Sequence, residues 1–296
     1  MKVLNKIKGG FSLTLLLLNT FLFATLVVLT APLKLLAPFD SWKKAMGRLA
    51  VYFSEVWIYG NQLIFKLTQN VPWIYHNFPP NLKYKNSYLV ISNHQSGMDI
   101  LVLQIMFNRK IPLLRFFIKQ QLLFLPVLGQ AFWALDFPFM KRYSKKELAE
   151  NPALANKDLE SARQACERFK TIPVSVINFV EGTRFSKEKH HRQKSPFSNL
   201  LRPKAGGLAL VLGILGEEMD KILNITITYQ GSGNSVWDFL SGNVKRIDIH
   251  VEEMEISKTL VENNYSTDPK AKEQFQSWLN QVWSDKESLI DDLKSI

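Results

Sequence analysis

The chain has 296 residues, 46% hydrophobic and 21% charged, which excludes a disordered or fibrous protein and leaves room for one large core or two modest ones. A formal net charge of +11 predicts attraction to a polyanion: nucleic acid, an anionic bilayer, an acidic carrier protein or a phosphorylated substrate. The single cysteine, Cys166, excludes an intrachain disulfide framework and a cysteine-based zinc site.

No charged residue interrupts the chain between Lys8 and Lys34, and the run from Phe11 to Ala31, roughly 20 residues, suffices to cross a bilayer as a helix. A secretory signal would have a shorter apolar stretch and small residues at its cleavage site. Leu29-Thr30-Ala31-Pro32 is a poor site, so an uncleaved anchor is expected. Lys2, Lys6 and Lys8 nearly balance Lys34, Lys43, Lys44 and Arg48, so charge leaves the orientation open. Trp42 to Leu67 places Leu49, Phe53, Val56, Trp57, Leu63 and Ile64 among Lys43, Arg48, Glu55 and Lys66. Such an amphipathic helix either lies on a membrane or packs on a domain core. Residues 1–70 are read as a transmembrane or interfacial helical anchor, and residues 71–296 as an α/β domain.

Val71-Pro72 and Phe78-Pro79-Pro80-Asn81 punctuate the chain before a buried strand at Tyr88 to Ile91. A helix from about Ser96, the apolar segment Leu122 to Leu135, a helix at Asp158 to Lys170 and a strand at Val174 to Val180 follow. Next come a helix near Gly207 to Leu215 and a strand at Leu223 to Tyr229, an alternation typical of α/β proteins. Val244 to Val251 alternates strictly, with Ile247, Ile249 and Val251 on one face, so His250 on the other is expected to be solvated. Asp268-Pro269 opens a last helix with Phe275, Trp278, Leu279 and Val282 on one side.

Asn93-His94-Gln95-Ser96-Gly97-Met98-Asp99 lies between the first buried strand and an apolar helix, the kind of junction where α/β domains bind ligands. Asp99, in the first helical turn, can accept a hydrogen bond from one imidazole nitrogen of His94 and leave the other to take a proton from a hydroxyl. Ser96-x-x-Asp99 also reads as a helix cap in which the carboxylate bonds backbone N–H groups, and the two roles are compatible. The strand Val174 to Val180 runs into Glu181-Gly182-Thr183-Arg184. Gly182 lets a ligand approach the backbone, Thr183 offers a hydroxyl, and Arg184 presents a fork suited to phosphate oxygens. Glu181 is expected to hold Arg184; an ordinary turn closed by an ion pair is the alternative.

In this pair of motifs the chain resembles the lysophosphatidic-acid acyltransferase (PlsC-like) family, whose hallmarks are N-H-x-x-x-x-D followed by E-G-T-R. Phe137-Pro138-Phe139-Met140-Lys141-Arg142 is similar to the family block ending in arginine, and Lys119-Gln120-Gln121-Leu122 to its K-x-E-L element. The run from Phe117 to Phe185 is similar to the YihG-type bacterial branch. Gln121 stands where many relatives have Glu, and Leu223-Asn224-Ile225-Thr226 lacks the usual prolines of the last block. The resemblance implies a mixed β-sheet flanked by helices, the glycerolipid acyltransferase fold, after a membrane-embedded helical pair, with the catalytic domain facing the cytoplasm from a bacterial inner membrane. It implies acyl transfer from acyl-CoA or acyl-carrier protein to a lysophospholipid, with no further cofactor.

On this reading His94 is the general base and Asp99 its orienter. Arg184, with Glu181, Gly182 and Thr183 and the weaker candidates Arg142 and Lys119, receives the acceptor's phosphate. Backbone N–H groups at the helix start beyond Ser96 are candidate oxyanion donors. The basic run Lys187, Lys189, His190, His191, Arg192 and Lys194 reads first as a solvated loop and second as a contact for headgroups, CoA phosphates or a carrier. His190-His191, without carboxylates or cysteine beside it, makes no metal site. Lys204-Ala205-Gly206 precedes a helix whose N-terminus can receive a phosphate. An acyl ester or thioester hydrolase is the nearest competing function, though no G-x-S-x-G elbow is present. A basic nucleic-acid binder is supported by charge alone.

Overall fold

The computed structural model describes residues 2–140, 150, 160, 163, 164, 166, 167, 169, 170, 172–262, 265 and 267–295. Two long helices, α1 (Lys2–Leu33) and α2 (Asp40–Thr68), pack against each other. The buried residues of α2 are Ala50, Ser54, Glu55, Ile58, Asn61 and Phe65; all but Glu55 recur every third or fourth position, and Glu55 widens that stripe by one position. A polar seam fixes the pair: the Asn19 amide donates to the Trp57 carbonyl at 3.0 Å and to Asn61 Oδ1 at 2.9 Å, and Trp57 Nε1 donates to Thr20 Oγ1 at 3.0 Å. Gly60 permits the approach, because a Cβ there would lie 2.6 Å from Asn19 Oδ1. The outer face of α1 exposes Leu4, Phe11, Leu17, Leu18, Phe21 and Leu22. Val3–Leu33 is long and apolar enough to cross a membrane.

Six strands make one mixed sheet in the order β1-β8-β7-β2-β6-β3. They are β1 (Trp73–His76), β2 (Tyr88–Ser92), β3 (Leu114–Phe116), β6 (Ser175–Phe179), β7 (Lys221–Gly231) and β8 (Val244–Met254). All pairs are parallel except β7 with β8. Strands β4 (Ile118–Lys119) and β5 (Phe139–Met140) form a separate parallel pair. Among the described residues the domain's helices include α3 (Asp99–Phe107), α4 (Leu128–Ala134), α5 (Lys187–Gln193), α6 (Ala205–Leu215), α7 (Val236–Leu240), α8 (Lys258–Val261) and α9 (Pro269–Ser295).

β2 is buried along its whole length, as a central strand covered on both faces must be. Its alternation divides two cores: Tyr88 and Val90 join the core beneath α1, α2 and α3, while Leu89 and Ile91 join the core beneath α6 and α9. Leu16, Ala24 and Val27 of α1 belong to the first core, so the helical pair is packed into the α/β domain.

Most expected elements are present, with shifted ends. The first domain helix begins at Asp99 and not near Ser96, because the Asp99 carboxylate holds the preceding backbone in a loop. The apolar segment after Leu122 is a 3-10 turn, Gln120–Phe124, followed by α4. The basic run is a short helix, α5, capped by Ser186. Of the expected Asp158 to Lys170 helix, residues 160, 163, 164, 166 and 167 are helical and 169 and 170 form a turn, and the other positions lie outside the described residues. His250 is half-buried and not solvated, and burial lowers its pKa. Its neighbour Asp248 is fully buried, sealed by Arg246 Nε at 2.8 Å and His76 Nε2 at 3.0 Å.

Candidate active site

The register of the central strands brings the two motifs together. Ile91 pairs with Asn178 and Ser92 with Phe179, so the polar segments that follow β2 and β6 leave the same carboxyl edge of the sheet. The turn after β6 closes with Gly182 N–H donating to the Phe179 carbonyl at 2.8 Å, and Gly182 sits at φ +70°, a conformation that favours glycine. The chain then crosses to the other motif: Phe185 N–H donates to the His94 carbonyl at 2.8 Å.

Asn93 fixes the start of the loop. Its side chain donates to the Ile227 carbonyl and accepts from Ile227 N–H, both at 2.9 Å, replacing a strand partner where β2 turns away from β7. The His94 ring stacks on Phe179, with centroids 4.1 Å apart and planes 20° from parallel. Asp99, fully buried, takes His94 Nδ1 at 2.7 Å, Gln95 N–H at 2.7 Å and Ser96 N–H at 2.9 Å, all on Oδ2. Asp99 thus makes both the capping contacts and the imidazole contact. With a carboxylate at Nδ1, the proton sits there and Nε2 keeps its lone pair. Nε2 has no hydrogen-bond partner among the described residues, and the His94 side chain is 15% exposed. Such a nitrogen can accept a proton.

Tyr229, which nothing in the sequence singled out, donates its hydroxyl to the other Asp99 oxygen, Oδ1, at 2.6 Å. The carboxylate is saturated, and its surroundings hold it in one orientation. The N–H groups of Gln95 and Ser96 are spent on Asp99, so they do not serve as oxyanion donors.

Arg184 is exposed and lies against the same loop: a Cβ on Gly97 would sit 3.4 Å from its Nη2. Lys189 of α5 folds back to donate to Thr183 Oγ1 and to the Arg184 carbonyl, each at 2.9 Å. Lys204 Nζ lies over Gly182, 3.4 Å from where a Cβ would be. Three cations therefore surround the Gly182-Thr183-Arg184 turn, and Lys189 is more than a solvated charge. Such a cluster suits an anion with several oxygens.

Glu181 does not hold Arg184 and does not face this cluster. It is fully buried and accepts from His94 N–H at 3.4 Å, and burial pushes its carboxyl up to about 8. Its buried position ties it to the His94 loop, and no hydrogen bond or ion pair among the described residues joins it to Arg184. Lys119 is exposed on β4, beside Met140 in the separate strand pair, and no hydrogen bond or ion pair among the described residues joins it to the turn. Arg142 lies outside the described residues.

Residues 74–212 match the Acyltransferase family. The chain is 25% identical to the 2-acyl-1-lysophosphatidylinositol acyltransferase of Saccharomyces cerevisiae, an alignment covering 70% of this chain and 61% of that protein. It is 21% identical to 1-acyl-sn-glycerol-3-phosphate acyltransferase 3 of Arabidopsis thaliana, covering 70% and 54%. The chain thus spans 61% and 54% of these two relatives' lengths. Both are eukaryotic and do not bear on a bacterial branch. Among solved structures, the 1-acyl-sn-glycerophosphate (LPA) acyltransferase PlsC from Thermotoga maritima superposes with a TM-score of 0.57 at 16% identity, covering 99% of this chain and 96% of that one. The fold is the one that protein has.

Proposed function

We propose, from the acyltransferase match of residues 74–212 and the geometry around His94, that this chain moves a fatty acyl group onto the free hydroxyl of a phosphate-bearing lysolipid. Lysophosphatidic acid is the acceptor that a cluster of Arg184, Lys189 and Lys204 suits best, because a phosphate monoester offers the most charge and the most oxygens. The observation that carries the reading is the His94–Asp99 pair, with Nδ1 occupied at 2.7 Å and Nε2 free, beside that cluster.

In this mechanism His94 Nε2 takes the hydroxyl proton as the oxygen attacks the thioester carbonyl of acyl-CoA or acyl-carrier protein. Asp99 orients the imidazole and stabilises it as imidazolium. Collapse of the tetrahedral intermediate expels the thiolate, which regains the proton from His94, leaving a diacyl lipid and a free thiol. Arg184 binds the acceptor phosphate and so aligns its hydroxyl with Nε2. The apolar outer face of α1 supports a membrane anchor within residues 1–70, with residues 71–296 as the catalytic domain.

The test is an acyl-transfer assay of the purified full-length protein with labelled acyl-CoA and acyl-carrier protein, against a panel of lysophospholipids and a monoacylglycerol. Labelled diacyl lipid that disappears in His94→Ala is expected. Free fatty acid as the sole product would make the protein a thioesterase, and salt-sensitive nucleic-acid binding without transfer would remove the enzyme reading altogether.

A further inference from the structure

The C-terminal helix carries a charge that the mechanism above does not use. Lys286 of α9 is 2% exposed, lying in the apolar stripe that also buries Phe275, Leu279, Val282, Trp283, Ile290 and Leu293. A buried ammonium is costly unless its donors are satisfied. Lys286 Nζ donates to the Ile225 carbonyl at 2.6 Å and to Thr226 Oγ1 at 3.0 Å, both on β7.

The point of attachment is informative. The β2–β7 ladder ends where Ser92 pairs with Ile225. Two residues further on, Ile227 is held by the Asn93 side chain, and two further still Tyr229 reaches Asp99. In a strand, residues two apart present their backbone groups to the same neighbour and their side chains to the same face. Ile225, Ile227 and Tyr229 therefore make one continuous edge and face, on which the His94 loop is seated. Lys286 grips the first of the three from the opposite side of the sheet.

We propose that Lys286 is a positioning residue of the acyl-transfer site, fixing β7 at the end of β2 so that Asn93 and Tyr229 hold the His94–Asp99 pair in its reactive geometry. The inference rests on the acyltransferase reading.

The charged and titratable groups facing Lys286 are Glu181 after β6 and Glu252 and His250 on β8. The Trp283 ring on its own helix lies 5.2 Å away. Burial pulls the ammonium down to about 7, and the two glutamates oppose that fall. The grip survives the loss of a proton: a neutral amine keeps two N–H donors, and the two contacts to β7 need two. The substitution effect should therefore be similar on both sides of neutrality.

The test compares full-length wild type, Lys286→Met, Lys286→Gln, Tyr229→Phe and the Lys286→Met/Tyr229→Phe double variant, in one detergent. Each is measured for kcat, acceptor KM and thermal midpoint with lysophosphatidic acid and acyl-CoA. Lys286→Met keeps the stem and removes the donors. It should lower kcat about 10- to 100-fold, as a small misplacement of reacting groups does, and leave acceptor KM within about threefold. Lys286→Gln, which retains an N–H donor, should recover part of kcat. The double variant should lose less than the product of the single losses, because both act on the seating of Asp99. If Lys286→Met does not fold, Lys286→Gln and its double with Tyr229→Phe are read in the same way. A lowered thermal midpoint with unchanged kcat, or losses that simply multiply, would overturn the positioning role and leave Lys286 a packing residue. Absence of acyl transfer in wild type instead rejects the enzyme reading itself.

Discussion

Glu181→Gln separates charge from shape at the base of the active-site loop. The carboxyl is fully buried and rises from an ordinary 4.5 to about 8, first because of desolvation. A value raised on folding means that the folded state holds the proton more tightly. Stability from this group is complete below pH 4.5 and is lost as pH climbs to about 8. The full gap corresponds to about 5 kcal/mol, most of it between pH 5 and 8. Lys286 runs the other way: its value falls from 10.5 to about 7, so its cost is complete below about 7 and absent above 10.5. At pH 5 Glu181 is neutral beside a charged Lys286, and at pH 9 the reverse holds, so glutamine strands no partner charge at either end. Its amide oxygen still accepts from His94 N–H. Allowing for relaxation, the variant should gain about 2–4 kcal/mol over wild type between pH 5 and 8, or about 3–6 °C in thermal midpoint for a chain of this size. The assay is thermal unfolding of both proteins in one detergent at pH 5, 7 and 8.5. A gap that stays constant across those three values, or a variant less stable at pH 8.5, refutes the buried-carboxylate argument.

His94→Ala should reduce acyl transfer to about 1% or less while the protein stays folded, checked by product analysis alongside circular dichroism. Tyr229→Phe deletes one hydrogen bond to a buried carboxylate, worth about 1.5 kcal/mol, so kcat should drop about tenfold with acceptor KM unchanged. Arg184→Ala should raise KM for lysophosphatidic acid more than for a monoacylglycerol of the same chain, with Arg184→Lys restoring only part, since an ammonium lacks the fork. Equal penalties for both acceptors would make Arg184 a residue of the turn and move the phosphate site towards Lys204, Lys119 or Arg142. Deleting residues before Trp42 should weaken retention in alkaline-washed membranes. It should also lower the thermal midpoint, because Leu16, Ala24 and Val27 belong to the core. Undiminished retention would assign the anchor to α2.

The residues proposed to carry the chemistry were legible because they sit in short contiguous motifs at strand ends, where polar side chains interrupt apolar runs. What supports them was not. Tyr229 lies in Ile227-Thr228-Tyr229, which reads as ordinary strand, and its meeting with Asp99 depends on a pairing 130 residues away. Lys286 did leave a signal: it falls in step with Val282, Trp283 and Ile290 on the apolar stripe of α9, where a lysine is out of character. Glu181 looked like a surface partner for Arg184 because the two are three apart. The sharp turn at Gly182 sends the first inward and the second out. His250 misled in the same way, since alternation assigns it to the second face of β8 without revealing that this face is covered, as the contacts of Arg246 and His76 to the neighbouring Asp248 show.

The seating of the His94 loop also governs when the site can come into being during folding. Asn93 waits for Ile227, 134 residues on, His94 for Glu181, 87 on, and Asp99 for Tyr229, 130 on. The α1–α2 seam, by contrast, closes between residues 37 to 42 apart. Contacts between distant segments form late because loop closure must precede them. The helices α1 and α2 can therefore pair while β7 is still unpaired, and a chain arrested at that stage holds its apolar hairpin without a seated His94–Asp99 pair.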